Sequence, residues 1–251
     1  MEQHVYQQIF DVEKTHWWFV GRRKIISSVL KRHIKNPLPR ALDIGSGTGL
    51  NSVVLKEFAK QVSGLDPANE AVRLSLIRVP DLKVMQESFP YVQLGQRYNL
   101  ITMFDVLEHI EDDALSLRKL EELLMPGGVA VLTVPAFPIL WSDHDRVLKH
   151  FRRYTMKSLR SVITANTSLA IQRMSYFNSL FFVPIVAFRV LRKVFHILPD
   201  RADDFMVHPI INKFFLFLFS LEGKLVGRVP YPFGISIICV LKKPDSPAGL
   251  K

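Results

Sequence analysis

The chain has 251 residues, 48% hydrophobic and 22% charged, which is enough to bury a full core and too apolar for a disordered protein. Its single cysteine, Cys239, excludes an intramolecular disulfide and suits a reducing cytoplasm. The net charge of +10 is uneven, with 8 basic and 3 acidic residues in 1–40, 10 and 15 in 41–150, and 15 and 5 in 151–251, so the basic end suits either an anionic partner or a plain solvated surface.

In chain order, residues 4–34 read as helical and "KNPLPR" breaks the pattern. The N-terminus lacks a basic stretch followed by an apolar one, so no signal peptide is expected. Short apolar strands then alternate with helices: "RALDIG" (strand), "LNSVVLKEFAK" (helix), "QVSGLD" (strand), "NEAVRLSLIRV" (helix), "LKVM" (strand), "YNLITMFD" (strand), "DALSLRKLEELL" (helix) and "GVAVLTVP" (strand). A helix near 155–166 and a strand near 169–177 follow. Residues 178–232 are largely apolar and helical, and "GISIICVLKK" closes the chain as a strand. Such alternation argues for a mostly parallel sheet covered on both faces.

"LDIGSGTG" lies between the first strand and the helix after it. Gly45, Gly47 and Gly49 allow a tight turn and close backbone approach to a ligand, at the place where nucleotides bind in open α/β sheets. Leu50 stands where a dinucleotide fingerprint wants its last glycine, and no P-loop lysine follows. Asp66, ending the second strand, can accept hydrogen bonds from both ribose hydroxyls.

"LDIGSGTG", "GLD", "YNLITMFDVLEHIEDD" and "LMPGGVAVLTVP", in that order, resemble the successive motifs of class I S-adenosylmethionine-dependent methyltransferases. The resemblance covers about residues 40–177 and the last strand. It implies a Rossmann-like α/β fold with a seven-stranded, mostly parallel sheet, and S-adenosyl-L-methionine as cofactor. It places the methionine part on Asp43, Gly45, Ser46, Gly47 and Gly49, the ribose on Asp66 beside Pro67, and the adenine between Glu87 and Ser88 on one side and Phe104, Asp105 and Val106 on the other. The division expected is an N-terminal helical lid (1–39), a methyltransferase core (40–177 and 233–243), a helical insertion (178–232) and a tail (244–251).

Asp105, Glu108 and His109 share one face of a turn, a set that could bind a divalent cation. The alternative is that His109 orients the loop or meets the cofactor while Glu108 caps or pairs, and no metal is expected. The run "FPILWSDHDRVLKHFRRYT" (137–155) leaves the strand end that faces the cofactor's methyl group in this fold, over the acceptor pocket. There Trp141 and Phe151 can wall the pocket and His144 or Asp145, with His109, can take a proton. Arg146, Arg152 and Arg153 can hold an anionic acceptor. Asp143, His144, Asp145 and His150 do not converge as a metal site on one strand or helix, and the bland alternative is that these charges pair with one another. "HWWFVGRRKII" reads as the lid, with Trp17, Trp18, Arg22 and Arg23 facing inward, or as helix–sheet packing.

The insertion joins "SLFFVPIVAF" to Arg189, Arg192 and Lys193, and falls short of the ~20 apolar residues of a spanning helix. It suits a helix in a membrane interface, a lid over a lipophilic acceptor, a dimer interface or a buried subdomain. The expected activity is methyl transfer, at oxygen, to a small or lipid-linked acceptor, by a monomer or homodimer in the cytoplasm or at the inner membrane face. Nucleic acid is not expected as partner. A nucleic-acid methyltransferase and a non-catalytic cofactor-binding scaffold are the alternatives.

Overall fold

The computed structural model describes residues 3–184, 186–187, 207–226 and 228–245, with the side chain of His144 outside that set. Seven strands form one sheet: β1 (Leu38–Ile44), β2 (Ala59–Leu65), β3 (Lys83–Met85), β4 (Tyr98–Phe104), β5 (Leu124–Pro135), β6 (Ala170–Phe177) and β7 (Ser236–Lys242). Their order is β3-β2-β1-β4-β5-β7-β6, and β7 runs antiparallel to both of its neighbours. The four pairings from β3 to β5 are parallel. The inner strands are apolar on both faces because helices cover both. The mostly parallel sheet covered on both faces is what the strand–helix rhythm predicts, and its seven-stranded, Rossmann-like form is what the resemblance implies.

Eight described helices connect and cover the sheet: α1 (Gln3–Val12), α2 (Trp17–His33), α3 (Leu50–Leu55), α4 (Asn69–Arg78), α5 (Asp113–Leu123), α6 (Asp143–Val147), α7 (Met156–Asn166) and α8 (Pro209–Val226). Helix α5 starts where the Asp112 carboxylate accepts the Leu115 N–H at 2.7 Å, and it buries Leu117, Leu120 and Leu123 on one side. Each such leucine contributes about 1.5–3 kcal/mol relative to exposure. Helix α7 opens with a capping box of Thr155 and Ser158. One core lies under α5 and α7, and the other lies under α2 and α8.

Three local outcomes differ from the sequence expectation. The single N-terminal helix is two, because Glu13 turns inward and His16 caps α2, its Nδ1 accepting the Trp18 N–H at 3.3 Å. Helix α3 ends at Leu55, since Ala59 already pairs with β1. Strand β5 begins at Leu124, where it pairs with Tyr98 across a bulge.

Helix α2 packs directly on α8. A Cβ on Gly21 would run into the Phe219 ring, so only glycine lets the helices approach this closely. Trp18 stacks on Phe219, and Trp17 rests on Phe181, Phe215 and Phe219. The Trp17 N–H also donates to Asn212 at 2.7 Å. Ile25, Ile26, Val29 and Leu30 are fully buried, so α2 is a wall of the core. Phe188, Arg189, Arg192 and Lys193, singled out in the insertion, lie outside the described residues.

Candidate active site

A cleft of ≈ 660 Å³ opens at the carboxyl ends of β1, β2, β4 and β5, with α1 and α2 across its mouth. At one end is the glycine turn after β1. Gly45, Gly47 and Gly49 have φ of 67°, 54° and 83°, which L side chains rarely adopt. A Cβ on Gly47 would meet nothing nearer than 4.0 Å, so the free space beside it belongs to the cleft. The Gly47 N–H donates to Asp66 Oδ2 at 3.0 Å, and the Ala68 N–H donates to Oδ1 at 3.0 Å. Burial nonetheless raises the Asp66 carboxyl above its usual range. Pro67, Glu87, Ser88, Phe104, Asp105 and Val106 line the same end.

Two expected members stand behind the cleft. Asp43 is buried and accepts from Ser52 Oγ at 2.7 Å and Thr102 Oγ1 at 2.8 Å, tying the turn to α3 and β4. Burial pushes its carboxyl up to about 6. Gly49 packs against Ser75 of α4 and starts α3. Their backbone and scaffold roles, and not a ligand contact, explain their types.

The N-terminal helices are fastened to this turn. Glu13 pairs with Arg78 at 2.9 Å and accepts a hydrogen bond from Thr48, while Arg78 Nη2 donates to the Phe10 carbonyl at 2.9 Å. Arg22 is buried and reaches Asp105 at 3.0 Å across the cleft, an ion pair without hydrogen-bond alignment. Its Nε–H has no partner among the described residues.

The other end of the cleft holds Glu108, His109, His150 and Arg153, with Trp17 and Asn178 nearby. Glu108 follows β4 in a short 3₁₀ turn and is fully buried. Burial first, and the charge of Asp105 second, raise its carboxyl well above the usual range. Its oxygens have no partner among the described residues beyond its own backbone N–H. Burial and the neighbouring His150 push His109 down to about 4. The two imidazoles meet edge to face with centroids 4.5 Å apart. One donor atom from each of Glu108, His109 and His150 lies within 4.8 Å of the others, close enough for a cation to bridge them. His150, which supplies the third donor, stands 41 residues away in sequence, so spacing alone could not bring it to this group.

Asp145 is fully buried behind His150. It receives Arg153 Nε at 2.7 Å, Arg153 Nη2 at 3.0 Å and the Ser142 N–H at 2.8 Å, and its Oδ1 lies 2.9 Å from His150 Nδ1. Burial pushes the carboxyl up, but the His150 and Arg153 contacts outweigh it and hold Asp145 below the usual carboxylate range. The expectation that Asp145 itself meets the acceptor is therefore corrected: both oxygens are spoken for inside the loop. Trp141 and Phe151 are exposed and do not line the cleft. Arg146 pairs with Asp143 on the surface. Arg152 reaches Asp113 at 2.9 Å and the Glu111 carbonyl, fastening the loop to the start of α5. Of the three arginines only Arg153 lines the cleft. The His144 side chain lies outside the described residues.

A family model described as a methyltransferase domain matches residues 19–179. The chain is 30% identical over 152 residues to the ubiquinone biosynthesis O-methyltransferase of Azorhizobium caulinodans, covering 53% of this chain and 60% of that one. It is 28% identical over 134 residues to the protein of that name from Serratia proteamaculans, covering 47% and 56%. The chain thus spans about half the length of the curated relatives it matches. Among solved structures it resembles the N-methyltransferase NodS from Bradyrhizobium japonicum in complex with S-adenosyl-L-homocysteine, with TM-score 0.56, 13% identity, and coverage of 89% and 86%. It also resembles a Haloferax volcanii complex between the Trm112 methyltransferase activator and a methyltransferase, with TM-score 0.63, 14% identity, and coverage of 98% and 96%. The likeness to solved structures carries the fold, and the domain match over most of the chain carries the family. With the glycine turn, Asp66 and the strand order in place, the chain belongs to the class I S-adenosylmethionine-dependent methyltransferases.

Proposed function

We propose that the chain transfers a methyl group to an oxygen of a small or lipid-linked acceptor. The observation that carries this reading is one cleft with two unlike ends, a glycine turn with Asp66 at one and the buried Glu108, His109 and His150 group at the other. The residues fit S-adenosylmethionine: the open space beside Gly47 admits its chain, and Arg22 has an unpartnered buried N–H suited to an amino-acid carboxylate. When bound, that cofactor supplies an electrophilic methyl on a sulfonium, so the protein's task is mainly positioning. Asp66 holds ribose hydroxyls with the lone pairs its two backbone contacts leave free. Phe104, with Glu87 and Ser88 opposite, flanks the adenine. Trp17 meets the acceptor, and His109 walls the acceptor end beside His150. Oxygen as acceptor atom is supported by the names of the relatives.

A lipid-linked acceptor fits the outside of the insertion. Along α8, Ile210, Phe214, Phe217, Leu221 and Leu225 recur at helical spacing and are all exposed. Phe181 and Phe219, by contrast, are buried against Trp17 and belong to the core. Lys24, Lys31 and Arg32 of α2, with Lys224 and Arg228, line a basic groove beside that stripe. No described helix is long and apolar enough to cross a membrane. An apolar stripe edged by cations suits the surface of an anionic bilayer, reached from the cytoplasm, with about 1 kcal/mol per basic residue near the headgroups.

The test supplies methyl-labelled S-adenosylmethionine and a total lipid extract in anionic vesicles. The expected result is label in an alkali-stable lipid ether, and flotation of the protein with the vesicles at low salt. A variant carrying Phe214→Ser and Phe217→Ser is expected to lose flotation and lipid labelling while still binding cofactor. Label in RNA, or none in any acceptor, contradicts the reading.

A further inference from the structure

The loop after β5 contains a feature that positioning alone does not require. Helix α6 ends at Val147, and the chain then reverses at Lys149, whose φ is 57°. A lysine in this left-handed region costs energy that the surrounding contacts must offset. The reversal brings the His150 backbone N–H to the Asp145 carbonyl at 2.8 Å and its Nδ1 to the Asp145 carboxylate at 2.9 Å. Both interactions join the same two residues, so the ring is fixed from two sides. Arg153 grips the carboxylate with two parallel contacts and donates its Nη1–H to the Ala136 carbonyl at 3.2 Å, anchoring the assembly to the end of β5. The Phe151 N–H donates to the Glu108 carbonyl at 2.8 Å, which holds the residue after His150 against the turn that follows β4.

An ionised carboxylate at Nδ1 makes that nitrogen the proton carrier of a neutral imidazole. The lone pair then sits on Nε2, the nitrogen left for the cleft that His150 lines. Asp145 cannot itself serve, because it is fully buried and both of its oxygens are held by Arg153.

We propose that His150 is the general base of the transfer, with Asp145 and Arg153 as its positioning residues. This rests on the oxygen-acceptor reading above. As the acceptor oxygen bonds to the methyl and the sulfur–methyl bond breaks, the hydroxyl proton passes to Nε2 and later to water, and the sulfonium becomes a neutral thioether. Asp145 stabilises the imidazolium so formed, and Arg153 keeps the carboxylate ionised and in place. The logic is that of a base oriented by a buried carboxylate, on a loop of this chain.

Two measurements test it. The first is long-range ¹⁵N–¹H correlation on histidine-labelled protein. The expected spectrum has His150 as the Nδ1–H tautomer, identified by its loss in His150→Gln, and an Nε2–H tautomer overturns the proposal without bearing on cofactor binding. The second follows methyl transfer to catechol as a hydroxyl probe and to the lipid extract. His150→Gln is expected to lower kcat about a hundredfold or more, with S-adenosylhomocysteine affinity unchanged by calorimetry. His150→Ala is expected to regain part of its rate with added imidazole, as a structural histidine does not. Unchanged kcat in His150→Gln overturns the proposal. So does bound metal that copurifies with the wild type, is lost in His150→Gln, and whose removal by EDTA alone abolishes turnover, because His150 then serves a cation. If wild type binds cofactor but methylates neither probe, the acceptor reading fails and the tautomer decides the base assignment.

Discussion

Replacing Arg153 by alanine is expected to cost about 3–5 kcal/mol of folding stability, the range for breaking a buried ion pair from one side. Arg153 is 7% exposed and Asp145 is 0% exposed. With the guanidinium gone, Asp145 keeps only the Ser142 and His150 contacts, which do not balance a fully buried charge. Arg153→Lys restores the charge but not the fork, and falls between. Changing both partners together, Asp145→Leu with Arg153→Met, is expected to recover much of the loss, since the penalty lies in the orphaned charge. Urea unfolding monitored by fluorescence measures all three. A loss under about 1 kcal/mol for Arg153→Ala, the level of an exposed pair, means that this pair does not organise the loop.

The second expected result concerns Asp43. Its carboxyl is raised to about 6 by burial, despite the Ser52 and Thr102 hydrogen bonds that favour the charged form. A raised folded-state pKa favours the protonated protein, so the stability it contributes is present at pH below the unfolded value of 3.8 and is lost as pH rises through about 6. At about 1.4 kcal/mol per unit, the swing is on the order of 3 kcal/mol. Asp43→Asn cannot ionise, so the difference in stability between wild type and this variant is expected to move by that amount between about pH 3 and pH 7, in favour of the variant at the higher pH. Comparing the two proteins at each pH cancels the titration of all other groups. A difference that stays flat contradicts the assignment of a buried, weakly acidic Asp43.

Short-range pattern made much of the fold readable. The glycine turn, Asp66 and the strand–helix alternation are each encoded within about ten residues, and burial on two faces shows as continuous apolar runs. The failures are long-range or depend on one backbone angle. Glu13 breaks the first helix because Arg78, 65 residues on, draws it inward. Nothing local marks Lys149 as the left-handed residue that folds His150 onto Asp145, so Asp145, Arg146, Arg152 and Arg153 read as one cluster although only Arg153 reaches the cleft. The stripe on α8 was available from its spacing of three and four. Phenylalanine content alone did not separate it from Phe181, which packs inward.

The account's central claim is that the cleft binds S-adenosylmethionine through the glycine turn and Asp66. Calorimetric titration of S-adenosylhomocysteine into wild type and a folded Asp66→Ala variant tests it most directly. The account predicts roughly micromolar binding by wild type and a ten- to hundredfold loss in the variant, about 1.5–3 kcal/mol for a buried carboxylate contact. Absence of binding by wild type, or equal affinity in both proteins, contradicts it.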